Sequence, residues 1–431
     1  MVVCAAQSLT TLESLQCHFT WDLDRTRSIL LLLRDKMEDN RTEEGNRWLG
    51  HIYNLWGFIQ YKLGVTEDAK RLFQKAAEAF SQIRRADEGP WLVVNYGNMA
   101  WLHHHLGEQE ESQNYLSKVD DLVQRYPSPS KDELHPEIYA EKAWSLTYLR
   151  EDMELSAEYF EKAARLQPDM VEWNTSYVLA LADTQKYSYT GVDADLFEKM
   201  RLAKEQDPES LYLAIVYLEQ RAKKGETIED EVRELARNNL SALGSSHSCA
   251  RALLRVYRHN LGDDEAIALA EEALQILPDR RYLKRYAALC YRHKLLGRGR
   301  PGRGVIDRAI SLHQEVLSLY PFSLHVKKID LATIYAKASN MAEAEQLFQE
   351  LLQSDLNPKE KQTLYNAYAK YRDIDCNDLY GSIQYHMKAA AIPEKSFHRD
   401  NSIKVLEKKK NKGKMSKEIE NFLKNLQEPK Q

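Results

Sequence analysis

The 431-residue chain contains few residues that interrupt helices, with only 17 glycines and 12 prolines. Sheet-rich folds need many tight turns, and glycine and proline supply the backbone conformations of most of these turns. A chain of this length with so few of both leaves little room for a β-sandwich or a doubly wound sheet. Hydrophobic residues, at 43%, are still frequent enough to bury a core. The composition therefore favours a helical protein.

Long apolar runs and paired cysteines are also lacking. No stretch of roughly 18 apolar residues occurs, so no membrane-spanning helix is expected. The aliphatic run at residues 29–33 is too short for the core of a signal peptide. The five cysteines are scattered, odd in number and never spaced C-x-x-C, which argues against a disulfide framework or a zinc site. We expect a cytoplasmic protein without membrane contact, cofactor or metal.

Positive charge is concentrated in two segments of an otherwise acidic chain. The net charge is −5, yet residues 293–304 contain four basic residues and no acidic one. Residues 401–431 contain nine lysines against four glutamates. Basic clusters of this kind favour a polyanionic partner, although a lysine-rich terminus is explained equally well as a solvated tail.

Internal repetition is the clearest pattern. The tetratricopeptide repeat follows W-x2-L-G-x2-Y, then A-x3-F-x2-A and a closing proline. Small residues let the two helices of a repeat approach closely, aromatic residues fill the groove to the next repeat, and proline ends the second helix. Six segments match in order: Gly57, Ala69, Phe73, Ala76; Ala100, Gly107, Ser112, Leu116; Ala143, Ser156, Phe160, Ala163, Pro168; Leu254, Tyr257, Ala266, Ala273, Pro278; Ala288, Tyr291, Ala309, Pro321; Ala332, Tyr335, Ala344, Phe348.

These matches predict an all-α fold, a superhelical array of helix-turn-helix repeats. Where the template fails or is interrupted, we expect the array to be divided. The predicted parts are an N-terminal helical segment (1–45), N-terminal repeats (46–210), a helical connector (211–248), C-terminal repeats (249–395) with the basic insertion 293–304, and a basic helix and tail (396–431).

Several short motifs go beyond the generic repeat. Residues 17–21 are C-H-F-T-W, residues 96–101 are Y-G-N-M-A-W, and residues 141–144 are E-K-A-W. V-Y-R-H and L-C-Y-R follow at 256–259 and 289–292. With these motifs in this order, the chain resembles the interferon-induced proteins with tetratricopeptide repeats over roughly residues 10–410. We expect a short, fish-type member of that family.

The resemblance implies a function. Members are antiviral effectors of the vertebrate cytosol without catalytic activity. Several bind the 5′ end of foreign RNA, as triphosphate or incompletely methylated cap, in a positively charged central channel and so block its translation. Others act through protein partners and assemble with sister proteins. We expect an interferon-induced effector that binds single-stranded viral RNA; the alternative is a protein-interaction scaffold acting on signalling or translation factors, as a homo- or hetero-oligomer.

Carried over residue by residue, the resemblance implies that Trp144 stacks on the cap base, although Trp144 is explained equally well as a packing residue beside Ala143. Arg251, Arg255 and Arg258 share one helix face by their i, i+4, i+7 spacing, which suits a row of phosphates. The alternative is a solvated face paired with acidic residues at 263–265. The other implied channel residues are Tyr212, the group Lys284, Arg285 and Tyr286 in place of a His-His-Gln, and Lys404 and Lys408 at the channel mouth.

Two positions depart from the triphosphate-binding relatives. Tyr148 stands where they have a lysine, and Asp183 stands where they have an arginine. A carboxylate beside a phosphate is repulsive, most of all where little water screens it. Arg150 and Lys186 are nearby in sequence as substitutes. Without the two expected cations, triphosphate and hydroxyl ends should bind with similar affinity.

Catalytic motifs are not evident in the sequence. The spacing G-x-G-x-x-G at 297–302 matches a dinucleotide fingerprint, but it follows a predicted helix instead of a strand. The three consecutive histidines at 103–105 point in different directions from a helix, so they predict no metal site. We expect a binding protein and not an enzyme.

Overall fold

The structure is a computed structural model that describes residues 9–40, 46–150, 152–185, 190–240, 246–297, 299, 301–322, 324–410 and 415–427. Over these residues the regular secondary structure is helical, and no strand occurs among them. The predicted all-α fold is confirmed. Within the same ranges, no helix is both long and apolar enough to cross a bilayer.

The chain divides into two compact units, Met1–Pro278 and Asp279–Gln431. In the first unit a 3₁₀ turn, His18–Thr20, precedes the α-helices. They are α1 Arg27–Asn40, α2 Leu49–Lys62, α3 Thr66–Arg84, α4 Leu92–His105, α5 Gln109–Arg125, α6 Pro136–Leu149, α7 Met153–Leu166, α8 Val171–Thr184, α9 Ala194–Gln206, α10 Leu211–Lys223, α11 Glu229–Asn238, α12 His247–Asn260 and α13 Asp263–Ile276.

The second unit continues the same succession of helices. They are α14 Arg281–Leu296, α15 Arg303–Leu319, α16 Leu324–Lys337, α17 Met341–Leu352, α18 Pro358–Ile374, α19 Leu379–Ala391, α20 Phe397–Lys409 and α21 Ser416–Gln427. The expected connector 211–248 holds α10 and α11, and α10 packs on α12 within the first unit. The boundary between the two compact units falls after α13.

Repeat positions predicted to be small lie where two helices touch. A Cβ on Gly57 would lie 2.6 Å from the ring of Phe73, so α2 and α3 approach closely only because residue 57 has no side chain. In the next repeats a serine replaces the small alanine and donates a hydrogen bond across the helix pair. Ser112 Oγ donates to the Ala100 carbonyl at 2.9 Å, and Ser156 Oγ donates to the Ala143 carbonyl at 2.8 Å. These contacts explain the repeat template physically.

The turns and caps follow from single residues. Gly64 and Gly107 lie between the two helices of the first two repeats with φ of +83° and +76°, a left-handed conformation that favours glycine. Asp152 accepts a hydrogen bond from the Leu155 amide at 2.8 Å and caps α7. Asn357 and Glu360 form a reciprocal capping box at the start of α18.

The C-H-F-T-W and Y-G-N-M-A-W motifs pack against each other. The His18 amide donates to Asn98 Oδ1 at 3.1 Å, and Asn98 Nδ2 lies 3.1 Å from His18 Nδ1. A Cβ on Gly97 would lie 3.0 Å from Cys17 Cβ, so glycine admits the N-terminal segment. Burial lowers the pKa of His18 to about 3, which keeps its ring neutral. The motifs used to identify the family thus fix the N-terminal segment on α4.

A buried polar network crosses the first unit. Asn95 Nδ2 donates to Asn54 Oδ1, and Asn54 Nδ2 donates to Glu141 Oε1, both at 2.8 Å. Arg84 donates to Glu137 at 3.2 Å and to Glu172 at 2.9 Å. The hydrogen bonds of Asn54 link α2, α4 and α6, and those of Arg84 link α3, α6 and α8.

Burial raises the pKa of Glu141 to about 8, although the hydrogen bond from Asn54 acts in the opposite direction. Burial also raises the pKa of Glu137 to about 7, with the charge of Arg84 opposing it. Both folded-state values lie above the ordinary value of 4.5. The stability that these carboxyls contribute is therefore complete below about pH 4.5 and is lost as the pH rises through the folded-state values.

The network predicts a pH-dependent stability. Between pH 6 and 8, the free energy of unfolding should fall by up to about 2 kcal/mol through the ionisation of Glu141. Glu141→Gln keeps an acceptor for Asn54 but has no proton to lose, so its urea-unfolding profile against pH should be shallower. The control Glu234→Gln removes an exposed carboxyl from α11 and should follow the unmodified protein. Parallel profiles for all three proteins would contradict the assignment.

Candidate nucleic-acid interface

The first unit contains a partly open cavity of about 1080 Å³. Its walls come from α1, the start of α2, α6, α8, α10 and α12, with Phe160 of α7 and the turn before α10. The lining includes Lys36, Arg47, Trp48, Trp144, Tyr148, Arg150, Phe160, Glu172, Asp183, Asp207, Glu209, Tyr212, Glu219, Lys223, His247, Arg251, Arg255 and His259. Helices far apart in sequence therefore supply one site.

Four candidates from the sequence lie together in this cavity: Trp144, Tyr212, Arg251 and Arg255. Arg258 is not among the described residues that line it, and its Nη2 lies 2.7 Å from Nε2 of His259, which does. The lining row of α12 continues from Arg255 to His259, and Arg258, one residue earlier, points about 100° away from His259 around the helix. The cavity thus receives two of the three predicted arginines.

One wall is an aromatic column formed by Trp48, Trp144, Tyr148 and Lys36. The rings of Trp48 and Trp144 are nearly parallel, at 11°, with centroids 6.2 Å apart. Trp144 also stacks with Tyr148, with centroids 5.1 Å apart. Lys36 Nζ lies 3.5 Å from the centroid of the Tyr148 ring, a cation–π contact. The column joins α1, α2 and α6.

Trp144 contacts both the hydrophobic core and the cavity. It packs against the hydrophobic cores around α6, as a structural residue does. It is nevertheless only half-buried and lines the cavity, so part of its surface faces the enclosed space. A tryptophan held by packing and open on one side is a suitable stacking platform for a base.

The two departures, Tyr148 and Asp183, do line the cavity. At Tyr148, however, α1 brings Lys36 onto the ring, and its ammonium also donates to the Tyr148 carbonyl at 3.3 Å. Arg150, in a left-handed conformation at the end of α6, lines the cavity as well. Lys186 lies outside the described residues. The cation missing at position 148 is therefore replaced in space by one from another helix, whereas the carboxylate of Asp183 remains.

The charges of the lining are mixed. Arg47 lies 3.4 Å from Asp207, 3.5 Å from Glu209 and 4.0 Å from Glu172. Arg255 pairs with Glu219 at 2.6 Å. The charged lining residues outside these groups are four basic ones and one acid, Lys36, Arg150, Lys223, Arg251 and Asp183. The lining thus has an excess of carboxylates around Arg47 and is predominantly basic elsewhere, which differs from the uniformly basic channel that was expected.

Tyr212 lies among the charged residues of α8 and α12. Burial raises the pKa of its hydroxyl; the positive charges of Arg255 and Arg251 oppose this shift, and the negative charge of Asp183 adds to it. These three charges therefore act on one phenol. With 37% of its surface exposed, Tyr212 can still contact a ligand.

The remaining candidates belong to the second unit. Lys284 forms an ion pair with Glu315. The Arg285 guanidinium lies 5.4 Å from the centroid of the Tyr320 ring, and Tyr286 is buried. Lys404 and Lys408 are exposed on α20. Their role in RNA binding stays a prediction.

The basic insertion is described only in part, because Arg298 and Arg300 lie outside the described residues. Arg303, the first residue of α15, has 95% of its side chain exposed. In the described part of the chain, no group of three or more histidine, cysteine or acidic side chains is placed to hold a metal ion.

Sequence reasoning missed Lys36, Arg47 and Trp48. None fits the repeat template, and Trp48 immediately precedes the first residue of α2. Trp48 contacts Trp144 and Lys36 contacts Tyr148, each across about a hundred residues of sequence, and Arg47 contacts the still more distant Asp207. Only the packing of α1 and α2 on α6 brings them together, so no local pattern could have identified them.

The whole chain resembles known proteins. It is 26% identical to the antiviral innate immune response effector IFIT1 of Macaca fascicularis over 414 residues, which cover 92% of this chain and 86% of that protein. It is 26% identical to the human interferon-induced protein with tetratricopeptide repeats 2 over 424 residues, covering 93% and 86%. The human IFIT1 dimer with m7Gppp-AAAA matches with a TM-score of 0.69 at 25% identity, covering 94% of this chain and 90% of that chain.

A second solved structure, the human IFIT1 dimer with PPP-AAAA, matches with a TM-score of 0.68 at 24% identity, covering the same shares of the two chains. No protein-family model matches the chain. The alignments cover most of this chain and most of each relative, and the two relatives are different members of one family. The resemblance predicted from the short motifs is confirmed, and the chain is a relative of the interferon-induced proteins with tetratricopeptide repeats.

Proposed function

We propose that this protein is an interferon-induced antiviral effector that binds the 5′ end of single-stranded viral RNA in the cavity and thereby inhibits its translation. The observation that carries the proposal is the convergence of Trp144, Tyr212, Arg251 and Arg255 on one cavity. Its relative IFIT1 is an antiviral innate immune response effector, and human IFIT1 has been solved with PPP-AAAA.

The cavity has the chemistry that such a ligand needs. Stacking on an aromatic ring contributes roughly 1–3 kcal/mol per base and accepts any base. Arginine guanidinium groups bind phosphate oxygens through two parallel hydrogen bonds. At about 1080 Å³ the cavity lies at the upper end of the usual range of ligand pockets, roughly 300–1,000 Å³. It is therefore large enough to hold the end of a nucleic acid.

The proposal also includes the cellular location of the protein and its binding partners. The protein acts by binding in the cytoplasm, without catalysis or a cofactor, and assembles with copies of itself, with family members or with translation or signalling factors. The second candidate is a scaffold that holds a protein segment and no RNA end. It is favoured by the carboxylates gathered around Arg47, since a mixed lining also suits a peptide.

Salt dependence of RNA binding tests the proposal. Arg251→Ala with Arg255→Ala should weaken binding of a single-stranded RNA and flatten the slope of log K against log salt by about 0.7 for each lost phosphate contact. Arg258→Ala is the matched control from the same helix and should leave the slope unchanged. An unchanged slope in the double variant, or no RNA binding by the unmodified protein, would favour the scaffold.

Lys36 and Asp183 should act in opposite directions on the 5′ phosphates. Lys36→Gln should weaken binding of 5′-triphosphate RNA by about tenfold relative to 5′-hydroxyl RNA, because one charge-assisted contact contributes on the order of 1.5–3 kcal/mol. Asp183→Asn should strengthen the binding of 5′-triphosphate RNA and leave the binding of 5′-hydroxyl RNA unchanged, because it removes the repulsion between the carboxylate and the 5′ phosphates. The measurement is a pair of titrations with RNAs that differ only at the 5′ end.

Lys118→Gln is the control for these titrations. Lys118 also lies over a tyrosine ring, 4.7 Å from the centroid of Tyr115, but it is not among the residues that line the cavity. Equal losses for both RNAs in Lys36→Gln would show that Lys36 acts only through packing.

A further inference from the structure

We propose that a second pocket of the first unit, between α11, α12 and α13, receives the exposed ring of Phe397 from a second copy of this chain. The contact is head-to-tail, because one copy contributes its first unit and the other copy contributes its second unit. This inference rests on the self-assembly in the proposed function and identifies the surface responsible. It is separate from the larger cavity, since no described residue lines both spaces.

The second pocket has a volume of about 240 Å³, below the roughly 300–1,000 Å³ of small-molecule sites, and suits one large side chain. It has an apolar lining with a charged rim, formed by Ala236, Arg237, Leu240, Tyr257, Glu265, Ala268, Leu269 and Glu272. Arg233 of α11 donates to Glu265 of α13 at 2.8 Å and so holds the two helices together. A space that exists before the partner arrives lowers the entropic cost of binding.

Tyr257 in the lining lacks a partner that a docked chain could supply. Only 6% of its surface is exposed, yet no hydrogen bond joins its hydroxyl to a residue that the structure describes. Buried polar groups of folded proteins almost always have a hydrogen-bond partner. Ser396, the residue before Phe397, carries a hydroxyl group of the kind required.

Phe397 has the features of an interface anchor. With 74% of its surface exposed, it is the most exposed large hydrophobic residue in the described part of the chain. The turn that carries it is fixed at both ends. Gln362 donates to the Ile392 carbonyl at 3.0 Å, before the ring. The Ser396 hydroxyl oxygen accepts from the Arg399 amide at 3.1 Å and caps α20. A rigidly presented aromatic ring loses little entropy when a partner buries it.

The two units carry opposite net charges, which favours a head-to-tail contact between copies. The first unit contains 47 acidic and 31 basic residues, and the second contains 18 acidic and 29 basic residues. At the pocket, α13 contains five acidic residues and no basic one. Complementary charge accelerates association and orients the partners. Beside the ring, Lys395 and Arg399 balance Glu394 and Asp400, so the ring itself supplies the specificity.

Analytical ultracentrifugation of the full chain over a range of concentrations tests the contact. The mass of the unmodified protein should rise above that of a monomer, and added salt should lower it by screening the opposite charges. Phe397→Ser should raise the dissociation constant at least about tenfold. The control Tyr380→Ser removes another exposed ring of the second unit and should leave the constant unchanged.

A variant of the pocket provides the complementary measurement. Ala268→Trp places an indole in the pocket and should weaken association as much as Phe397→Ser does. Ala194→Trp, at the exposed first residue of α9, is the matched control and should have no effect. Both alanines are exposed, so neither substitution fills a core position, and circular dichroism establishes that each variant is folded.

Mixing the two weakened variants isolates a single junction. Phe397→Ser keeps an open pocket and Ala268→Trp keeps the ring, so the mixture should form a 1:1 dimer and nothing larger. A monomeric unmodified protein would overturn the proposal and assign the pocket to a different partner. Assembly that persists in either variant, or a mixture that stays monomeric, would overturn it as well.

Titration of the same proteins with 5′-triphosphate RNA separates this inference from the proposed function. Neither Phe397 nor Ala268 is among the residues that line the larger cavity, so both variants should still bind RNA. If the unmodified protein binds RNA as a monomer, only the head-to-tail contact fails. If it assembles as described but binds no RNA, only the RNA-binding part of the proposed function fails.

Discussion

Stacking of Trp144 with Trp48 and Tyr148 is the interaction on which the candidate site depends. It joins the start of α2 to the middle of α6, and Lys36 on the Tyr148 ring adds α1. Aromatic pairs contribute about 0.5–1.5 kcal/mol beyond their buried area, and a cation on a ring contributes a similar amount. This column brings the cation on α1 and the tryptophan before α2 together at the cavity.

Longer-range polar contacts then connect helices on different sides of the cavity. Arg47, beside the column, reaches Asp207 and Glu209 in the turn before α10. On α1, Asp39 Oδ2 lies 3.9 Å from Nε2 of His247, the first residue of α12. Because the early helices are tied in this way to α10 and α12, the face that carries Tyr212, Arg251 and Arg255 shares one enclosed space with the aromatic column.

Local sequence patterns predicted the repeats and part of the cavity lining. The other lining residues, such as Lys36 and Trp48, reach the cavity only through long-range packing. Gly57 and Ser156 obey rules that act within one helix pair, and the turn from Arg251 to Arg255 follows from helix geometry, so these features are visible in sequence. The substitution at Tyr148 suggested a lost cation, because sequence spacing cannot place Lys36 on its ring. The opposite error concerns Arg258. Its regular spacing from Arg251 and Arg255 predicted that it faces the same ligand, but it is not among the described residues that line the cavity.

Crosslinking from the first nucleotide of an RNA tests the central claim, that the cavity of the first unit holds the 5′ end, most directly. A 5′-triphosphate RNA with 4-thiouridine at its first position would be irradiated with the full chain, and the modified peptides identified by mass spectrometry. The account predicts adducts on α6 near Trp144 and Tyr148 or on α10 near Tyr212, competed by unlabelled RNA. Adducts confined to exposed lysines of α20, such as Lys404 and Lys408, would contradict it.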